Sequence, residues 1–226
     1  MKAALLDALG TLVELERPWP HLVAELRARG VSVREEDAKR AMLAEMSYYK
    51  RNHDDAKDFA GLKDLRRRCA GIVQAELGTA LPVAGVEDAM LAAIRFRPYP
   101  EVRSVLGALR ERGVARVVVS NWDVSLHDVL ERTELRPLVD AVVTSAEFGA
   151  AKPDPAIFAR ALELAGTTDA WHVGDTPEAD LDGARAAGLR GILIDRDTRV
   201  AGSRRPAARV TVVGSLLELI PLAVPR

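Results

Sequence analysis

Short apolar runs separated by amphipathic stretches set the pattern of the chain. Ala3–Leu6, Arg116–Ser120, Ala141–Thr144, Trp171–Gly174, Gly191–Asp195 and Val210–Val213 are apolar along almost their whole length, as strands buried on both faces of a parallel sheet are. Between them the apolar positions recur at helical spacing over Glu101–Arg112, Val124–Arg132, Pro155–Ala165 and Glu178–Ala187. Gly113, Gly166 and Gly188 stand where C-caps of such helices fall. Strand and helix alternate, which predicts an α/β core around a parallel sheet.

One stretch breaks the alternation. About a hundred residues between Leu12 and Ala115 show helical periodicity and little strand signal, too long for a single crossover. The pattern predicts helices near Trp19–Arg29, Arg34–His53, Leu62–Leu77 and Val86–Ile94. It divides the chain into a core, residues 1–16 and 96–226, and an inserted helical domain, residues 17–95. Pro18 and Pro20 mark its entry and Pro98 and Pro100 its exit, where they suit stiff hinges or ordinary turns alike. The total of 226 residues, about one and a half typical domains, fits this division.

Composition narrows the function classes. With 48% hydrophobic and 29% charged residues the chain can bury a sizeable interior. Its net charge of -1 and lack of a basic block disfavour a nucleic-acid partner. No segment approaches the roughly 18 apolar residues of a membrane span, and the start turns acidic at Asp7. The single cysteine, Cys69, can form neither an internal disulfide nor a zinc cluster, so a reducing, cytoplasmic setting is expected. A monomer and a homodimer fit the sequence equally well.

Candidate chemistry lies at the ends of predicted strands, where open α/β sheets bind ligands. Asp7 closes the first strand ahead of Gly10-Thr11; it either caps the next segment or serves as a nucleophilic carboxylate. Ser120 and Asn121 close the second, where they cap a helix or hold phosphate oxygens. Lys152, one of six lysines, precedes a proline-initiated helix and would neutralise a phosphoryl group or a carboxylate if it were not simply solvated. Asp175 follows the fourth strand and Asp180 lies about one turn later, a pairing that suits Mg²⁺ or the positive end of a helix.

Taken in order, Asp7-Ala-Leu-Gly-Thr11, Ser120-Asn121, Lys152-Pro153-Asp154-Pro155 and Gly174-Asp175…Asp180 resemble the four motifs of the haloacid dehalogenase (HAD) superfamily of aspartate-nucleophile hydrolases. The resemblance spans the chain and implies a three-layer Rossmann-like parallel sheet, with the helical insertion as a subfamily I (C1-type) cap. It implies a phosphatase acting on a small phosphorylated compound, with Asp7 as nucleophile. Asp7, the carbonyl of Leu9, Asp175 and Asp180 would hold Mg²⁺. Thr11, Ser120, Asn121 and Lys152 would hold the transferring group, and Glu147 would orient Lys152. From the cap, Lys50 and Arg51 are substrate-binding candidates, beside Trp19, Tyr48 and Tyr49, whose aromatic rings core packing explains as well.

The chain departs from that pattern at Leu9, where phosphatases of the family usually carry a second aspartate as general acid and base. Such assistance is worth roughly 10²–10⁴-fold. Asp123, His21, Lys50, Arg51 and His53 are candidate replacements. The family's 2-haloacid dehalogenases also lack that aspartate and need no metal, which makes dehalogenation the competing expectation. They carry tyrosine where this chain has Phe158 and do not usually keep Gly174-Asp175. A ligand-binding module that has lost catalysis, and a phosphonoacetaldehyde hydrolase using Lys50, are the remaining readings.

Overall fold

A computed structural model describes residues 1–196 and 211–223. They fall into two compact units: 1–14, 98–122 and 126 onward in one, and 15–97 with 123–125 in the other.

The first unit is built on a six-stranded sheet of β1 (Ala3–Leu6), β4 (Ala115–Ser120), β5 (Ala141–Thr144), β6 (Ala170–Gly174), β7 (Arg190–Ile194) and β8 (Thr211–Val213). Strand order is β5-β4-β1-β6-β7-β8, and every adjacent pair is parallel. This is the expected α/β, Rossmann-like architecture; Val210, assigned by pattern to the last strand, lies outside the described residues. All four residues of β1 and all five of β6 are buried, which is why they carry no alternation. Ala3, Leu5, Val117 and Val119 pack with Ile157, Phe158 and Ala161 of one flanking helix.

Strand order reverses across β1: the chain runs outward through β4 and β5, then returns to β6 on the other side. Such a reversal opens a crevice at the carboxyl ends of the central strands. Asp7, Ser120 and Asp175 stand at those ends.

The second unit is helical: α1 (Pro18–Ala28), α2 (Glu35–Asn52), α3 (Phe59–Leu77) and α4 (Val83–Ala93). Leu22, Leu26, Met42, Leu65, Val73 and Met90 fill its separate core. Helix α1 starts with Pro18, whose fixed φ and missing N–H suit a first turn. Helix α3 is capped by Asp58, which accepts from Gly61 N at 2.8 Å, and ends at left-handed Gly78. No described helix is long and apolar enough to cross a membrane.

Three local expectations are corrected. The stretch thought free of strands contains β2 (Val13–Leu15) and β3 (Phe96–Pro98), which pair with each other. At three residues each they are too short to show a period. Back in the first unit, α5 (Val102–Glu111) and α8 (Pro155–Ala165) follow the pattern. Helix α6 (Leu126–Arg132) starts later than expected, because residues 123–125 group with the helical unit: Val124 N donates to Ala56 O at 3.0 Å. Finally, the helix expected at 178–187 is a wide π-type turn, Pro177–Asp182, followed by the short α9 (Gly183–Ala186). The short α7 (Ser145–Phe148) had no signal.

Candidate active site

Asp7 directly follows β1 and is buried together with Ser120 and Lys152. Ser120 Oγ donates to Asp7 Oδ1 at 2.9 Å, and Lys152 Nζ donates to the same oxygen at 2.7 Å. Among the described residues none donates to Oδ2, which keeps its lone pairs. Lys152 also reaches Asp180 Oδ1 at 2.6 Å, so one ammonium bridges two carboxylates. Burial disfavours the ammonium of Lys152, but the two anions outweigh it and hold the group above its ordinary value.

Asp180 is held on three sides. Lys152 and His172 Nε2 converge on Oδ1, the latter at 2.8 Å, and Thr176 N donates to Oδ2 at 2.9 Å. Burial raises its pKa, yet the bonds from His172 and the charge of Lys152 prevail and keep it ionised well below the usual carboxylate range. Burial, the largest influence on His172, disfavours the imidazolium and holds the ring below its ordinary value, against the pull of Asp180. Its Nδ1 is buried and unpartnered, and Phe158 meets the ring edge-on at 4.9 Å between centroids. His172 was missed as a site residue; a histidine inside an apolar strand, eight residues before Asp180, was the available signal.

Asp7, Asp175 and Asp180 each present an oxygen within 4.8 Å of the others. Burial, then the charge of Asp180, pushes Asp7 upward against the pull of Lys152. Partial burial, then the charge of Asp7, pushes the outermost carboxyl, Asp175, up to about 6. Three hard oxygens with one lysine among them form an anion-rich cluster whose repulsion a divalent cation would relieve, so the donor set fits Mg²⁺.

Two glycines make the convergence possible. Gly10 has φ +78°, and a Cβ there would collide with the Asp175 carboxylate. A Cβ on Gly174 would collide with the Asp180 carboxylate.

Other sequence-selected residues fall elsewhere or do other work. Asn121 donates Nδ2 to Lys152 O at 2.8 Å and accepts from Lys152 N at 2.7 Å through Oδ1. Its side chain, expected on substrate, is committed to fixing the lysine backbone. Glu147 does not orient Lys152; its Oε2 accepts from Thr144 Oγ1 at 2.8 Å and pairs with His127 at 2.9 Å. Thr11 is fully buried with its hydroxyl unpartnered. Leu9 is 41% exposed, an apolar side chain facing solvent two residues beyond Asp7.

In the helical unit, Lys50 and Arg51 are exposed in the last turn of α2. Trp19, Tyr48 and Tyr49 pack against that unit's core. His21 pairs with Glu16 at 3.3 Å, and His53 with Asp54 at 3.4 Å.

Residues 1–188 match the family described as haloacid dehalogenase-like hydrolase. Among curated proteins, "Haloacid dehalogenase-like hydrolase domain-containing protein 3" of Mus musculus is 30% identical over 98% of this chain and 93% of its own. The glyceraldehyde 3-phosphate phosphatase of Methanopyrus kandleri is 30% identical over 87% of this chain and 84% of its own. Several other curated relatives are matched over only about half their length. Among solved structures, a HAD phosphatase from Thermococcus onnurineus superposes with a TM-score of 0.66 at 23% identity, over 98% of this chain and 97% of that one.

Proposed function

The chain belongs to the haloacid dehalogenase-like hydrolase family, and we propose that within it the protein is a Mg²⁺-dependent phosphatase of a small phosphorylated compound. The observation that carries this reading is Asp7: a buried carboxylate with one oxygen held by Ser120 and Lys152, and the other unbonded among the described residues.

Asp7 Oδ2 attacks phosphorus, and the bond to the leaving oxygen breaks with its electron pair going to that oxygen. Water then attacks the aspartyl phosphate, releasing inorganic phosphate and restoring Asp7. Lys152 and Ser120 hold the carboxylate in line before attack. Asn121 holds Lys152, and His172 and Thr176 hold Asp180. Mg²⁺ bound by Asp7, Asp175, Asp180 and the carbonyl of Leu9 would offset the charge of the phosphoryl oxygens.

Leu9 has no proton to give, so the leaving oxygen departs unprotonated unless the helical unit supplies a donor. We assign that unit, residues 15–97 with 123–125, the part of a subfamily I cap that selects substrate, with Lys50 and Arg51 as its cationic candidates. A reducing, cytoplasmic setting accompanies this reading, in keeping with Cys69, a buried free thiol.

The test is a screen of phosphate esters with wild type and Asp7→Asn, in Mg²⁺ and in EDTA. The expected result is phosphate release that needs both Asp7 and Mg²⁺. Equal release by the two proteins would refute it, as would EDTA-resistant halide release from a 2-haloacid. Ligand binding indifferent to Asp7→Asn, with no turnover, would identify a binding module instead.

A further inference from the structure

Arg196, two residues after β7, lies 186 residues from Gly10 in the nucleophile loop and yet grips that loop. Its Nε donates to Gly10 O at 3.0 Å and its Nη2 to Thr11 O at 2.5 Å, so one edge of the guanidinium spans two successive carbonyls. The third nitrogen, Nη1, donates to Glu101 Oε1 at 2.7 Å. The face of the plane rests on Tyr99, 3.4 Å from guanidinium carbon to ring centroid.

The supports of this clamp are themselves anchored. Glu101 Oε1 also accepts from Ser215 Oγ at 3.2 Å, and Tyr99 N donates to Leu12 O at 3.1 Å. Burial disfavours the charge on Glu101, but its bond with Arg196 prevails and holds the carboxyl below its ordinary value. Side chain, ring and backbone thus converge on residues 10–12.

That segment is where small displacements matter most. Gly10 lies so close against Asp175 that it has no room for a Cβ. Gly10 also follows Leu9, whose carbonyl is the expected cation ligand, and stands three residues after Asp7. A loop free to drift here would move Asp7, the Leu9 carbonyl and Asp175 relative to one another.

We propose that Arg196 is a positioning residue, which sets the reactive geometry of Asp7 by clamping the Gly10 and Thr11 carbonyls while Tyr99 and Glu101 fix its plane. It touches no reacting atom. Lysine cannot replace it, because one ammonium cannot present two parallel N–H groups to consecutive carbonyls and a third to Glu101.

The role in turnover rests on the phosphatase reading; the clamp itself does not, and the experiment separates them. Arg116 is the control, since it too donates to two backbone carbonyls, Leu138 O and Val114 O, and to a carboxylate, Asp140, away from the nucleophile loop. Arg196→Lys, Arg196→Met and Arg116→Met are compared by thermal melting, by amide hydrogen exchange over residues 3–13, and by kcat and KM on p-nitrophenyl phosphate with Mg²⁺.

In both Arg196 variants, exchange over residues 3–13 should accelerate at least tenfold. Their kcat should fall on the order of 10–100-fold, with KM changed less than about threefold. Arg116→Met should lose comparable melting temperature while keeping wild-type exchange over 8–13, beyond the β1 residues that pair with its own strand, and kcat within about twofold. Unchanged exchange over 3–13 in Arg196→Met would overturn the proposal, as would a kcat in Arg196→Lys matching wild type or a loss no greater than that of Arg116→Met. A wild type without phosphatase activity would count against the phosphatase reading only, leaving the exchange measurement to decide on the clamp.

Discussion

The ammonium of Lys152 lies 2.7 Å from Asp7 Oδ1, although 145 residues separate them along the chain. Lys152 is also 2.6 Å from Asp180, and all three groups are buried. Removing one partner from such a set leaves a buried charge uncompensated, which costs about 3–5 kcal/mol where the remaining charge cannot relax. Asp7 is already pushed toward its neutral form and can take up a proton, so the lower end applies. Lys152→Met should lose about 3 kcal/mol in urea unfolding at pH 7, and adding Asp7→Asn should restore part of it. A double variant that loses the sum of both single losses would show that the groups do not interact.

Asp175 makes metal-free stability depend on pH. Its carboxyl is raised from 3.8 to about 6, so between those values the folded protein holds a proton that the unfolded chain has released. Stability from this group is therefore present below pH 4 and lost as pH rises through about 6. Discounted for the exposure of Asp175, the cost at pH 7.5 is about 1 kcal/mol. In EDTA, Asp175→Asn should be more stable than wild type by that amount at pH 7.5 and equal to it near pH 4. Added Mg²⁺ should raise the melting temperature of wild type but not of the variant. Equal stabilities at pH 7.5 in EDTA would contradict this account.

Gly174 leaves space that the Asp180 carboxylate fills. Gly174→Ala should displace Asp180 from Lys152 and His172 and destabilise the fold by about 1–3 kcal/mol. It should also abolish stabilisation by Mg²⁺, as seen by calorimetric titration. Normal Mg²⁺ binding by this variant would show that Asp180 takes no part in the cation site.

On the phosphatase reading, Leu9 should set the dependence on leaving group. Aryl phosphates leave as weakly basic phenolates and need little protonation, whereas alkyl phosphates need a proton. Leu9→Asp should raise turnover of alkyl phosphates by up to about 10²–10⁴-fold and change that of p-nitrophenyl phosphate far less. Equal gains on both substrate types would mean that the new carboxylate acts otherwise than as an acid.

Several features were legible because local chemistry dictates them. The buried strands of the sheet announce themselves as unbroken apolar runs, and Gly166 ends α8 in the left-handed conformation expected of it. Asp7, Ser120, Lys152 and Asp175, which the structure brings near one another, were legible as candidates because each stands at a strand end or shortly before a helix, positions visible in linear pattern. Strands β2 and β3 were not, since three residues carry no period. The wide turn at 177–182 was not, because its proline-led, acidic composition is that of an ordinary helix start.

By itself, then, the sequence determined the parallel α/β core, the helical insertion and the candidate residues at the strand ends, since apolar periodicity and residue type are properties of neighbouring positions. Tertiary structure alone decided the partners: Asn121 fixes the Lys152 backbone, Glu147 turns to His127 and Thr144, His172 braces Asp180, and Arg196 holds the loop after Asp7. Each of these bonds depends on distances of about 3 Å between residues as far as 186 positions apart, and sequence spacing carries no information at that range.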